Sequence, residues 1–210
     1  MIAHRLLAKW FYAPYPNLIW QYPPYENTVY LTFDDGPYPP VTRPLLEFLA
    51  QQEIPATFFL SGESLCRYRH ELEALDYTGH QIGSHLFHHI PLFGLKTPQL
   101  LREIDLTDRL IWKHFERLAQ LFRPPYGVFS PRLFPVLQST GKRLVLWSLM
   151  ANDFKWKPPR ILRYLMDQVH PGDIVVFHDS PLTDGILLEV LPRFVQFCRE
   201  KGWRFGVVEG

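Results

Sequence analysis

Five short polar clusters hold side chains able to do hydrolytic chemistry: Asp34-Asp35, His85 with His88 and His89, Arg123, Asp153, and His178-Asp179. Two histidines four apart, His85 and His89, can face one way on a helical turn and grip one cation. His88 competes for the second position, but the i,i+4 pair has the better geometry. One carboxylate of Asp34-Asp35 would complete a His₂Asp set that leaves positions for water and substrate, as catalytic zinc sites do. Adjacent residues on an extended chain point in different directions, so the other Asp can take a proton from the activated water. Each cluster alone has a plainer explanation. Asp-Asp-Gly-Pro is a common turn, a lone His-x₃-His is usually a surface helix, and Arg-Pro-Pro-Tyr-Gly can be a rigid turn with a charged flank. Asp153 can cap a helix, and His178 can be a hydrogen-bonded interior residue. The joint occurrence of all five, each at a strand end, is what points to a site.

The elements that must position them follow from periodicity. Residues 29–33 (VYLTF) read as a buried strand stopping at the Asp34-Asp35-Gly36-Pro37 turn. Thr42 is placed to cap a helix over 43–52. A strand at 56–60, a helix over 63–77 and a short strand at 80–83 follow. The longest helical pattern, 97–119, repeats Leu100, Leu101, Ile104, Leu110, Ile111 and Phe115 near a period of 3.6. Then come a strand at 121–123, a helix from 130, a strand at 143–149, a helix from about 159, a strand at 173–178, a helix over 184–201 and a last strand at 204–208. Strands and helices alternate about seven times, which implies right-handed βαβ crossovers and a parallel sheet. In such α/β folds the site lies at the carboxyl ends of the strands. The alternation does not separate an open sheet from a closed barrel.

The chain has 210 residues, enough for one domain. Its 22 basic and 21 acidic residues leave a formal charge of +1, so no basic excess exists to gather nucleic acid or anionic lipid. Cys66 and Cys198 are the two cysteines, too few and too far apart for a disulfide framework or a thiolate zinc site. No run of about 18 apolar residues marks a transmembrane helix. Residues 1–27 are rich in Pro, Tyr and Trp. They are expected to form an irregular segment packed on the catalytic domain at 28–210, with no cleavable signal and a cytoplasmic location favoured. Association of this segment with a membrane surface is the alternative.

The motifs resemble those of the polysaccharide deacetylase family, the NodB-homology domain of carbohydrate esterase family 4. Thr32-Phe33-Asp34-Asp35-Gly36-Pro37 matches its first motif, and Gly83-Ser84-His85-Leu86-Phe87-His88-His89 resembles its second. Arg123-Pro124-Pro125-Tyr126-Gly127 matches the third, Trp147-Ser148 through Asp153 resembles the fourth, and Val176-Phe177-His178-Asp179 the fifth. The resemblance covers about 28–208. It implies a distorted (β/α)₇ barrel, an α/β fold with parallel strands inside and helices outside. It also implies metal-dependent removal of acetyl groups from N-acetylglucosamine-type polymers or oligomers, peptidoglycan-like or chitin-like, which makes an acetylated carbohydrate the expected partner. By the same carry-over Asp35, His85 and His89 bind a divalent cation, most readily Zn²⁺. Asp34 is the general base paired to Arg123, and His178 is the general acid oriented by Asp153. The backbone N–H of Tyr126 helps hold the oxyanion. Four positions depart from the pattern: Leu86 in place of Ser or Thr, Met150 in place of Asp, Phe154 in place of Trp, and Val176 in place of Leu. They leave every direct chemical group in place; Leu86 bears on the rigidity of its loop, and the other three alter the pocket walls. Hydrolysis of another non-peptide amide or imide, and a non-catalytic carbohydrate-binding role, are the alternatives.

Overall fold

A computed structural model describes residues 12, 14, 15 and 17–209. The described residues form the strands β1 (Leu18–Ile19), β2 (Thr28–Asp34), β3 (Thr57–Leu60), β4 (Gln81–Ser84), β5 (Leu121–Phe122), β6 (Arg143–Val145), β7 (Leu149–Met150), β8 (Ile174–His178) and β9 (Arg204–Gly206). Between them run α1 (Pro39–Gln51), α2 (Gly62–Arg67), α3 (Thr97–Phe115), α4 (Leu133–Ser139), α5 (Pro158–Gln168) and α6 (Leu187–Glu200).

All strand pairs are parallel, in the order β1-β6-β5-β4-β3-β2-β8-β7, and β9 also pairs with β2. β9 takes Thr28 to Tyr30 of β2, and β3 takes Thr32 to Asp34. The stretch 143–150 joins β5 through β6 and β8 through β7, so the sheet curls round on itself. The result is a distorted (β/α)₇ barrel.

The distortion has a local cause. The strand predicted at 143–149 breaks at 146–148, because the Leu146 N–H turns to Ile19 O at 2.8 Å while the Ser148 N–H turns to Ile174 O at 3.0 Å. Ser148 Oγ also donates to Asp173 Oδ1 at 2.8 Å and accepts the Ile174 N–H at 3.1 Å. Other predicted bounds shift as well. The helix expected over 63–77 is the short α2 plus a 3₁₀ turn at Leu72–Ala74. α3 stops at Phe115, where Glu116 enters the left-handed region at φ 54°. Thr42 does not cap α1. It sits inside the first turn, which begins at Pro39. Leu18–Ile19, read as part of an irregular segment, pairs with β6. The expectations for residues 1–11, packing or an interfacial face, lie outside the described residues. No helix among the described residues is long and apolar enough to cross a membrane.

Alternation along β2 decides what reaches the site. Val29, Leu31 and Phe33 join the outer core with Leu45, Leu49, Phe177 and Phe194 under α1 and α6. Tyr30 joins the inner cluster with Phe59, Leu121, Val145 and Ile174. Thr32 and Asp34 share the inward face with Tyr30, since side chains two apart on a strand point the same way. Asp34 is therefore carried to the upper end of the barrel interior, with apolar packing beneath it.

Candidate active site

The buried centre of the site is Arg123, just beyond β5 and fully enclosed. Its Nη1 donates to Asp34 Oδ1 and to Thr32 Oγ1, both at 2.7 Å, and its Nη2 donates to Leu146 O at 2.9 Å. The guanidinium lies over the Phe59 ring at 4.1 Å and the Trp147 ring at 5.6 Å. Burial lowers its pKa and the Asp34 carboxylate opposes that. With one partner removed, the other charge would be stranded in an apolar interior, where it is costly. Sequence patterning did not single out Thr32; its place two residues before Asp34 on one strand face was the available signal.

Asp35 lies at the turn after β2, with φ 75°, so its side chain diverges from that of Asp34. Its Oδ1 is 3.5 Å from His85 Nε2 and 3.3 Å from His89 Nε2, and it is buried with no hydrogen-bond partner among the described residues. Asp35, His85 and His89 can present ligand atoms all within 4.8 Å of one another. The expected helical turn is not what brings the histidines together. Residues 85–89 form a loop in which Leu86 is fully buried at φ 64°. The N–H groups of Gly62 and Glu63 hold the carbonyls of Leu86 and Phe87 at 2.9 and 2.8 Å. His88 turns away from the pair. Its backbone N–H donates to Glu103 Oε2 at 2.9 Å and its Nδ1 lies 3.0 Å from Glu103 Oε1. Glu103 stands on α3 and was not anticipated, because nothing local ties it to His88.

These residues fit a divalent cation. His85 Nδ1 is 2.7 Å from Arg123 O, and a carbonyl only accepts, so Nδ1 carries a proton and Nε2 is the atom turned to Asp35. The unpartnered buried Asp35 oxygen is the atom such an ion would satisfy. Burial pushes the Asp35 carboxyl up, but His85, His178 and His89 outweigh it and hold it at about 2. Burial lowers His89. Neutral imidazoles and a carboxylate oxygen are the donors zinc accepts.

Across the mouth, His178 ends β8. Its Nδ1 is 2.8 Å from Asp153 Oδ1, and its backbone N–H donates to Asp153 Oδ2 at 2.8 Å. Burial lowers the imidazole, but the Asp153 hydrogen bond and charge outweigh it, with Asp34 and Asp35 adding, and raise it to about 9. The Phe154 ring meets His178 edge-on at 5.1 Å. Met150 and Val176 are opposite each other in the β7–β8 ladder. Tyr126, at φ 62°, lays its ring against His89 at 4.5 Å. Gly127 N–H closes that turn on Pro124 O at 3.0 Å, and the Tyr126 N–H takes no partner among the described residues. Asp179, read only as part of a strand end, is wholly buried. Burial raises its carboxyl to about 8, against the opposing Thr42 hydrogen bond.

The arrangement thus has three parts: a carboxylate–imidazole cluster suited to a cation, a carboxylate on a buried arginine, and a charged imidazole on a buried aspartate. The peptidoglycan-N-acetylglucosamine deacetylase of Bacillus cereus is 30% identical over 201 residues, covering 93% of this chain and 92% of that one. The chitooligosaccharide deacetylase of Azorhizobium caulinodans is 32% identical over 159 residues, 74% of this chain and 75% of that one. A solved peptidoglycan N-acetylglucosamine deacetylase bound to a hydroxamate-type benzamide superposes with a TM-score of 0.88 at 24% identity, over 94% of this chain and 93% of that one, a likeness of fold. The family model described as polysaccharide deacetylase matches residues 21–145. On this match and these relatives, the chain belongs to the polysaccharide deacetylase family, hydrolases of non-peptide carbon–nitrogen bonds.

Proposed function

We propose that the chain removes N-acetyl groups from N-acetylglucosamine-type polysaccharide or oligosaccharide, peptidoglycan-like or chitin-like, with a divalent cation held by Asp35, His85 and His89. One observation carries the reading. The unpartnered Asp35 Oδ1 faces two imidazole Nε2 atoms beside two separately paired proton carriers, Asp34 and His178. When bound, the cation, zinc by its donor set, would supply Lewis acidity at the acetyl carbonyl and a lowered pKa for water. Asp34, held by Arg123, takes the proton of the attacking water. The Tyr126 N–H, a donor with no partner among the described residues, faces the charge that develops on the carbonyl oxygen. His178, charged against Asp153, gives its proton to the amide nitrogen as the C–N bond breaks, because an amine leaves readily only when protonated. The rings of Tyr126 and Phe154 flank the two histidine groups and give the apolar face of a pyranose surfaces to lie on.

The substrate class is supported by the relatives, named for action on peptidoglycan and on chitooligosaccharide. The test is acetate release from N-acetylated chito-oligosaccharides and peptidoglycan fragments, before and after chelation and after zinc is returned. Acetate that disappears on chelation and returns with zinc is the expected result. Release from neither substrate overturns the substrate class, and release unaffected by complete metal removal overturns the cation.

A further inference from the structure

The Asp34–Pro37 turn is held from two sides, and one of the groups holding it has no part in the chemistry above. On one side, Ser64 Oγ donates to Asp35 O at 3.0 Å and the Ser61 N–H donates to Gly36 O at 2.9 Å. On the other lies Asp179. Its N–H donates to Asp34 O at 3.1 Å, extending the β2–β8 ladder one residue past the strands. Its carboxyl oxygens lie 2.2 and 2.5 Å from where a Cβ on Gly36 would stand, so the carboxyl rests directly on the Gly36 backbone and only glycine leaves it room. Thr42 Oγ1 donates to Asp179 Oδ2 at 2.6 Å and accepts the Tyr38 N–H at 2.8 Å. A continuous chain therefore runs from the turn through Asp179 and Thr42 to the start of α1.

What this chain secures is visible in Asp35. A non-glycine residue at φ 75° persists only where its surroundings over-determine it. Here the carbonyls of Asp34, Asp35 and Gly36 each have a fixed donor, and the Gly36 backbone has a wall. We propose that Asp179 is a positioning residue: it braces the Asp34–Pro37 turn so that Asp35 Oδ1 meets His85 and His89. Asp179 touches neither substrate nor cation. The inference rests on the cation site proposed above and goes beyond it, since it assigns the residue that shapes that site from behind.

The experiment uses the full chain, stripped of metal, and measures Zn²⁺ affinity by competition with a chelating dye, together with the melting temperature of the metal-free protein. The variants are Asp179→Ala, Asp179→Asn, Thr42→Val and His89→Ala. Asp179→Ala is expected to weaken Zn²⁺ binding by about tenfold or more, the scale of supporting groups around metal ligands. Asp179→Asn keeps the shape and an oxygen for Thr42, and is expected to recover most of that affinity. Thr42→Val, which leaves the carboxyl unanchored, is expected to fall between them and serves if Asp179→Ala does not fold. Parent-like Zn²⁺ affinity in Asp179→Ala and Thr42→Val overturns the proposal even if both melt lower, because that is the signature of a merely structural role. Parent-like affinity in His89→Ala overturns the cation site itself and this proposal with it, a result distinguishable from the first.

Discussion

Replacing Asp153 by Asn should unload the proton from His178 at neutral pH. Asp153 is fully buried and spends both carboxylate oxygens on His178, one on Nδ1 and one on the backbone N–H, each at 2.8 Å. Those contacts outweigh burial and raise His178 to about 9. With the charge gone only burial remains as the larger influence, and the ring should titrate at or below the ordinary value of about 6.5. That fall corresponds to roughly 3 kcal/mol less preference for the charged ring, at about 1.4 kcal/mol for each tenfold. Because the folded pKa lies above the unfolded one, the stabilisation is fully present below about pH 6.5 and is lost as pH rises through about 9. The parent should therefore lose this stabilisation between about pH 6.5 and 9, and Asp153→Asn should show a shallower fall, keeping only the part that the raised Asp179 carboxyl gives to both proteins up to about pH 8. The assay is an NMR titration of the His178 ring in metal-free protein, with urea unfolding at several pH values beside it. Metal must be absent because a nearby cation lowers the imidazole pKa. A His178 ring that titrates at the same pH in parent and variant would refute the reasoning.

Asp34→Asn should keep the protein's Zn²⁺ stoichiometry and lose about 10²–10⁴-fold in kcat for acetate release, the range for a general base. Metal analysis should find His89→Ala depleted and His88→Ala equal to the parent, because His88 is engaged with Glu103 on the far side of the loop. Arg123→Met should leave Asp34 unpaired in the interior and cost about 3–5 kcal/mol in urea unfolding, the scale of a broken buried ion pair. A loss under 1 kcal/mol there would mean that water reaches Asp34.

The polar groups of the proposed site were legible in the sequence because each cluster is short and stands where an apolar run stops. Val29 to Phe33 had to be buried on both faces, so the Asp34-Asp35-Gly36-Pro37 stop had to lie at a strand end, and the alternation of apolar segments required parallel strands. Tertiary structure decided whatever depends on partners distant in sequence. His85 and His89 converge without a helix, because the start of α2 grips the Leu86 and Phe87 carbonyls. His88 is withdrawn by Glu103, fifteen residues away. The strand predicted at 143–149 splits because its middle is drawn to Ile19 and Ile174. Thr42, a cap by local pattern, is claimed instead by Asp179, 137 residues further on. Local propensity sees neighbours within a turn or a pleat, whereas these hydrogen bonds exist only once the barrel has closed and brought their partners into reach.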